Sequence, residues 1–275
     1  MASHRRRNDG KSERKWSPSG PGAGATPTFR KPPSPTPESD WLWGWHTVLA
    51  ALNNPNRDAP RRLLATPDRA AMIEAQVVPC PALEIADAQS IARVLPQGAA
   101  HQGVALKASP LESAKLEDLA TPAAGVLLML DQLTDPQNVG AIFRSAAAFG
   151  AVGVIVQDRH APAFTGALAK AAAGALDALP HVRVVNLSRA LDQLSDLGWR
   201  AVGLDGEADR NLDEVLDGGP TVLVMGSEGE GLRRLVAEHC DVLARIPMPG
   251  GFESLNVSAA AAVALYAAAI AGKSG

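Results

Sequence analysis

"IPMPGGFESLNVSAAAAVALYAAAI", residues 246–270, decides how the rest of this 275-residue chain is read. A short apolar strand runs into Pro249-Gly250-Gly251. A polar cluster follows, Glu253, Ser254, Asn256 and Ser258, and then a helix made mainly of alanine. Small side chains let a helix pack closely against neighbouring backbone. The pattern therefore places a ligand-handling loop against a tightly packed final helix.

Upstream, the same kind of unit repeats. "GVLLMLD" is a continuous apolar strand, "NVGAIFRSAAAFG" a helix ending in glycine, and "AVGVIVQD" the next strand. "GALAKAAAGAL" reads as a helix, "VRVVN" as a strand, "SRALDQLSDLG" as a helix and "WRAVGLD" as a strand. An irregular acidic stretch follows, and then the strand "TVLVMG", the helix "LRRLVAEHC" and the strand "ARIPM". Strands apolar on both faces and spaced by helices predict a parallel sheet covered on both sides. Ligands of such sheets sit beyond the carboxyl ends of the strands. The polar, Gly-rich stretches at 131–138, 226–231 and 249–256 all fall there.

Before this region, "WLWGWHTVLAALNNP" reads as a short strand or turn and a helix, "RRLLAT" as a strand and "PDRAAMIEA" as a helix. "VVPCPALEIADAQSIARVLP" adds a strand and a helix, and "HQGVALKASPL" a closing strand. These make a small α/β unit over residues 41–110. "ESAKLEDLATPAAG" is polar and Pro/Gly-marked, which makes 111–122 a linker to a second domain over 123–275. Residues 1–40 carry eight Lys/Arg against four Asp/Glu and are rich in Pro, Gly, Ser and Thr. Such a segment cannot bury enough apolar surface to order itself and reads as a disordered basic tail, either solubilising or in contact with phosphates. The remainder is acidic, within a net charge of −3.

Composition excludes several classes. With 46% hydrophobic and 20% charged residues the chain is of ordinary globular type. No apolar run is long enough to span a membrane, and the N-terminus lacks the apolar core of a secretory signal. Cys80 and Cys240 form no CxxC pair, which argues against a disulfide framework or zinc site and fits a reducing cytoplasm. The histidines show no metal-ligand spacing. "GSEGEG" is not the G-x-G-x-x-G of dinucleotide folds, and Ser254 lacks a G-x-S-x-G elbow.

The three polar stretches supply the candidates. Asn138 stands at a helix start, where its oxygen can cap free N–H groups. Arg144, six residues on, is either a snorkelling surface group or a phosphate-binding fork beside the cleft. Glu228 lies among glycines that let a ligand approach the backbone, or else simply balances a helix N-terminus.

Taken together, "DPQNVGAIFRSAAAFG", "VMGSEGEGL" and "IPMPGGFESLNVSAAAAVALY" resemble the three signature motifs of the SpoU-type RNA ribose 2′-O-methyltransferases. These form a branch of the trefoil-knotted SPOUT superfamily. "WLWGWHTVLAALNNP" and "HQGVALKASPL" are similar to the L30e-like RNA-binding domain of the 23S rRNA guanosine 2′-O-methyltransferase subgroup, with Trp43 and Trp45 as departures.

The resemblance implies a C-terminal domain with a deep trefoil knot that binds S-adenosyl-L-methionine against Gly226, Ile246 and Leu255, with Leu204 and Gly206 nearby. It implies a catalytic group of Asn138, Arg144, Glu228, Ser254 and Asn256. Arg144 is regarded as the family's general base. A guanidinium does not readily lose its proton, which favours phosphate clamping and stabilisation of the developing alkoxide. No metal is implied. The implied partners are RNA, with 23S rRNA first, and a second copy of the chain joined through the knot region. The alternatives are a tRNA 2′-O-methyltransferase and a non-catalytic RNA-binding or ribosome-assembly factor.

Overall fold

Eleven strands among the described residues fall into two sheets in the computed structural model, which describes residues 40–77, 83–227, 229–252 and 254–272. But for Asp40, the tail expected over residues 1–40 lies outside the described residues. So do Cys80, Glu228 and Glu253.

The first sheet uses β1 (Trp41–Trp43), β2 (Arg62–Ala65), β3 (Leu83–Ile85) and β4 (Val104–Lys107), in the order β1-β4-β2-β3. Its helices are α1 (Trp45–Asn53), α2 (Pro67–Gln76) and α3 (Ala88–Arg93). Only β2 and β3 pair in parallel; β4 runs antiparallel to both of its neighbours.

The stretch expected as a linker contains α4 (Leu116–Ala120). Its L-x-x-L-A spacing puts Leu116, Leu119 and Ala120 on one buried face. They join the core that covers one side of the second sheet, so this segment packs instead of merely spanning.

The second sheet begins with β5 (Val126–Leu130), α5 (Pro136–Ala148) and β6 (Gly153–Gln157), then α6 (Gly166–Ala172), α7 (Ala175–Ala178) and β7 (His181–Val184). Next come α8 (Leu187–Asp196), β8 (Arg200–Leu204), β9 (Arg210–Asn211) and α9 (Leu212–Val215). β10 (Thr221–Met225), α10 (Arg234–Glu238), β11 (Val242–Arg245) and α11 (Val257–Ala271) complete it. The strand order is β7-β6-β5-β10-β8-β11-β9, parallel throughout. Leu128 and Leu130 enter one core cluster and Leu127 and Met129 the other, and β10 divides its residues in the same way. Burial on both faces is why these strands read as unbroken apolar runs.

Three elements differ from the sequence reading. The acidic stretch taken as irregular contains β9 and α9, where Asn211 and Glu214 form a capping box. The helix expected over "GALAKAAAGAL" breaks at Ala173 (φ 51°) and Gly174 (φ 96°) into α6 and α7. The last strand ends at Arg245, so Ile246 begins the loop and Pro247 follows without an N–H to give.

α11 shows what its alanines do. Val257, Ala261, Ala264, Leu265 and Ala268 are buried in the same cluster as Val139, Ile142, Phe143 and Ala146 of α5. α5 meets α6 just as closely: a Cβ on Gly140 would lie 2.6 Å from the Leu168 carbonyl oxygen. Among the described residues no helix is long and apolar enough to cross a membrane.

α1 and the loop that follows it sit on α6 and α7 through a buried ion pair. Asp177 accepts from Arg57 Nη2 (3.1 Å) and from Asn54 Nδ2 (3.0 Å), while Arg57 Nη1 donates to the Ser109 carbonyl (2.8 Å). Arg57 and Asp177 side chains are 5% and 2% exposed. Thr47 Oγ1 adds a bond to the Ala169 carbonyl (3.1 Å).

His181 lies beside this pair at 4% exposure, edge-on to Phe164 with ring centroids 4.6 Å apart. Burial, with help from the Arg183 and Arg57 charges and against Asp177, lowers its pKa to about 4. The unfolded chain then takes up a proton near pH 6.5 that the folded chain refuses until about pH 4. Stability is therefore full above pH 6.5 and falls as pH drops through that window, by on the order of 3 kcal/mol. Urea unfolding at pH 7 and pH 4.5 should show this loss, and His181→Phe should flatten that part of the profile. An unchanged slope in the variant would assign the acid loss to other groups.

Candidate active site

The chain runs outward from β5 to β6 and β7 and then crosses back to β8, with β10 inserted between β5 and β8. Such a reversal opens a crevice at the carboxyl ends of the strands. β10, β8 and β11 are neighbours, so the residues that leave them share one edge. Leu204 closes β8, with Gly206 just beyond; Gly226 follows Met225 of β10, and Ile246 follows Arg245 of β11. Leu204, Gly226 and Ile246 are half-buried, Gly206 is exposed, and Leu255, on the loop into α11, is 43% exposed.

The loop after β10 is closed on itself. Ser227 N–H donates to the Gly231 carbonyl and Gly231 N–H to the Ser227 carbonyl, each at 3.0 Å. The two arms come so close that a Cβ on Gly226 would stand 2.1 Å from the Gly231 carbonyl carbon. Only glycine fits there. Glu228, which follows Ser227 in sequence, is outside the described residues.

The first and third polar stretches meet through two asparagines. Asn256 caps α11: its Oδ1 accepts from Ser258 N (2.9 Å), Ala259 N (3.4 Å) and Ser258 Oγ (2.6 Å). With its oxygen held by donors, its Nδ2 faces the other way and donates to Asn138 Oδ1 at 3.1 Å. Asn138 is not the cap expected from the sequence. Asp135 caps α5, accepting from Gln137 N (3.3 Å) and Asn138 N (3.0 Å), with Pro136 at the first helical position. This leaves the Asn138 side chain to pair across the cleft.

Of the other expected catalytic residues, the two that are described, Arg144 and Ser254, stand apart from this pair. Arg144 lies two turns along α5, exposed and with no hydrogen bond or ion pair among the described residues. Six residues of helix put it ~9 Å along the axis and ~120° around it from Asn138. Ser254 is exposed on the loop before Asn256.

One residue the sequence reading passed over is Asp131, directly after β5 and with no exposure at all. It accepts from Arg233 N (3.0 Å) and Arg233 Nε (2.7 Å), and Arg233 Nη2 donates to Gln157 Oε1 (3.1 Å). A carboxylate at the end of a wholly apolar strand was the available signal. Cys240 is no nucleophile: burial, with Asp241 and Asp131 adding negative charge, pushes its thiol up to about 12. A cleft of about 330 Å³ opens at the opposite, amino-terminal edge of the sheet, between Gly125, Phe149, Gly218 and Ala271. Among the described residues no ionisable side chain lines it.

A parallel sheet covered on both sides, with polar loops at the carboxyl ends of its strands, defines an α/β protein of the class whose ligands sit at the strand ends. The chain belongs to the SpoU rRNA Methylase family, whose model matches residues 125–266. It is 47% identical over 171 residues to a 23S rRNA (guanosine-2′-O-)-methyltransferase RlmB of Pseudomonas aeruginosa, covering 60% of this chain and 69% of that one. It is 45% identical over 170 residues to an uncharacterized tRNA/rRNA methyltransferase of Mycolicibacterium vanbaalenii, covering 60% of this chain and 54% of that protein. It thus spans about half the length of that relative. Its fold is similar to the crystal structure of the SpoU methyltransferase AviRb from Streptomyces viridochromogenes (TM-score 0.73, 27% identity, 86% of this chain and 91% of that one). The same enzyme in complex with AdoMet gives a TM-score of 0.71 at 25% identity, with the same coverage.

Proposed function

We propose that this protein transfers a methyl group from S-adenosylmethionine to the 2′-hydroxyl of a guanosine ribose in RNA, with 23S rRNA as the substrate. The observation that carries the reading is the Asn256–Asn138 bond. It ties the first and third motifs together beside the strand ends that hold Gly226 and Ile246.

The residues at that edge suit the cofactor. Leu204, Ile246 and Leu255 offer apolar surface for a nucleoside base, and Gly206 and Gly226 leave backbone open to close approach. When bound, S-adenosylmethionine supplies a methyl group already activated on a sulfonium. As the methyl's bond to sulfur breaks and its bond to the 2′-oxygen forms, that hydroxyl must lose its proton; what remains for the chain is to position the ribose, let that proton leave and stabilise the charge that develops on the oxygen. Asn138 and Asn256, fixed by each other and by the α11 cap, orient the ribose together with Ser254 and Glu228. Arg144 holds the adjoining phosphate and stabilises the developing alkoxide.

The protein acts as a homodimer, in which Arg144 serves the partner's cleft. Its distance around α5 from Asn138 supports this, as does an exposed apolar stripe on α11. Val263, Tyr266 and Ile270 are 43%, 56% and 44% exposed, and Tyr266 is edge-on to Phe149 at the end of α5 (5.9 Å). The final chain threads as a deep trefoil knot. The small residues of α11 and the approach of Gly218 to the Ala271 carbonyl (3.0 Å from a Cβ) support such close passage. Residues 41–110 act as the RNA-binding domain and 123–275 as the catalytic one, in the cytoplasm.

Methyl transfer from labelled S-adenosylmethionine to unmodified 23S rRNA and, separately, to unmodified tRNA tests the reading. The expected product is 2′-O-methylguanosine in 23S rRNA, identified by mass. Labelling of tRNA alone would move the substrate to tRNA. No cofactor binding would leave a non-catalytic RNA-binding factor.

A further inference from the structure

Asp131 grips both feet of the loop that carries Gly226. Its backbone N–H donates to the carbonyl of Met225, the residue before the loop (2.8 Å). Its carboxylate accepts the backbone N–H of Arg233, the residue after Leu232 (3.0 Å). The same carboxylate holds Arg233 Nε at 2.7 Å, and Arg233 reaches on to Gln157 at the end of β6 (3.1 Å). Residues 226–232 are therefore bracketed by one residue, through its backbone at Met225 and its carboxylate at Arg233, and pinched from inside by the Ser227–Gly231 pair.

Burying an ionised carboxylate completely is costly, and a partner whose side chain is 39% exposed, as that of Arg233 is, returns only part of that cost. Stability alone is thus a poor reason for this arrangement. What it provides is a fixed separation between the loop's feet, anchored to the strand after which α5 and Asn138 follow.

We infer that Asp131 is a positioning residue for the cofactor: acting through Arg233, it sets the shape in which the 226–232 loop meets S-adenosylmethionine. This rests on the reading of that edge as the cofactor site. Asp131→Asn keeps the size of the side chain but removes the charge that holds two donors at once. The double variant Asp131→Leu/Arg233→Met removes the pair while filling its space.

Two measurements on the full chain decide it: S-adenosylmethionine affinity by calorimetry, and amide exchange of Ser227 and Gly231 by NMR without cofactor. In both variants the dissociation constant should rise about tenfold or more and the two amides should lose protection, at a temperature well below unfolding. The double variant removes the acceptor of the Arg233 backbone N–H as well as the pair, so its affinity is measured well below its own unfolding temperature. Arg233→Lys, which keeps the charge without the fork, should recover part of the affinity. Unchanged affinity and protection would overturn the inference, as would a raised KM for RNA with cofactor affinity intact, which would make Arg233 a substrate contact. If the native chain itself binds no S-adenosylmethionine, the cofactor reading fails, while the amides still report whether Asp131 holds the loop.

Discussion

Gly226→Ala should abolish measurable binding of S-adenosylmethionine and lower the melting temperature. The new methyl would stand 2.1 Å from the Gly231 carbonyl carbon, 2.3 Å from its oxygen and 2.4 Å from the Leu232 nitrogen. All three are backbone atoms, so no side chain can rotate away. Relief requires the loop to open, which breaks both Ser227–Gly231 hydrogen bonds. Each is worth about 1 kcal/mol net, and overpacking adds about 1–3 kcal/mol. If the closed loop is the binding form, affinity falls by ~100-fold or more. Gly250→Ala is the control: a Cβ there meets nothing within 4 Å. Calorimetric titration of both variants checks the expectation. Binding by Gly226→Ala within threefold of the native value would show that this loop takes no part in holding the cofactor.

That glycine, and most of the frame around it, was legible in the sequence. "VLLML" and "TVLVM" are apolar at every position because both sheet faces are covered, and that pattern belongs to a parallel sheet. What was hidden depended on contacts between distant segments. The break after α6 falls in an alanine run that favours continuous helix, but a Cβ on Gly174 would lie 3.0 Å from Ala50 Cβ and 3.1 Å from the His46 carbonyl oxygen. Packing of α1 at that point accounts for a turn that local propensity does not. At the site, Asn138 and Asn256 could be singled out, but their bond joins residues 118 apart and no periodicity records it. Asp135, by contrast, was readable as a cap, since Asp-Pro is a strong helix start, and it was overlooked in favour of Asn138. Asp131 escaped because a buried acid is the exception among carboxylates and its partner lies 102 residues away.

Arg144→Ala should reduce methyl transfer by ~10²–10³-fold, the scale of losing one charge-stabilising group, with cofactor affinity and melting temperature unchanged. The side chain is exposed and unpaired among the described residues, so its removal costs the fold little. The sharper test asks which cleft it serves. Asn138→Ala should also be inactive, since it removes the acceptor that holds Asn256 Nδ2. If Arg144 acts on the partner's cleft, an Arg144→Ala/Asn138→Ala mixed dimer has one cleft with both residues native. In that cleft, Asn138 from the first subunit faces Arg144 from the second. Random exchange makes half of the dimers mixed, so mixing the two dead variants should restore about a quarter of native activity. If Arg144 serves its own chain, every cleft in the mixture lacks one residue and nothing is restored. A monomer by sedimentation would remove the shared-cleft arrangement altogether. Restoration to about a quarter would place the positive charge and the asparagine pair on opposite sides of a two-fold interface. The separation of these residues around α5 would then reflect how the site is divided between two chains.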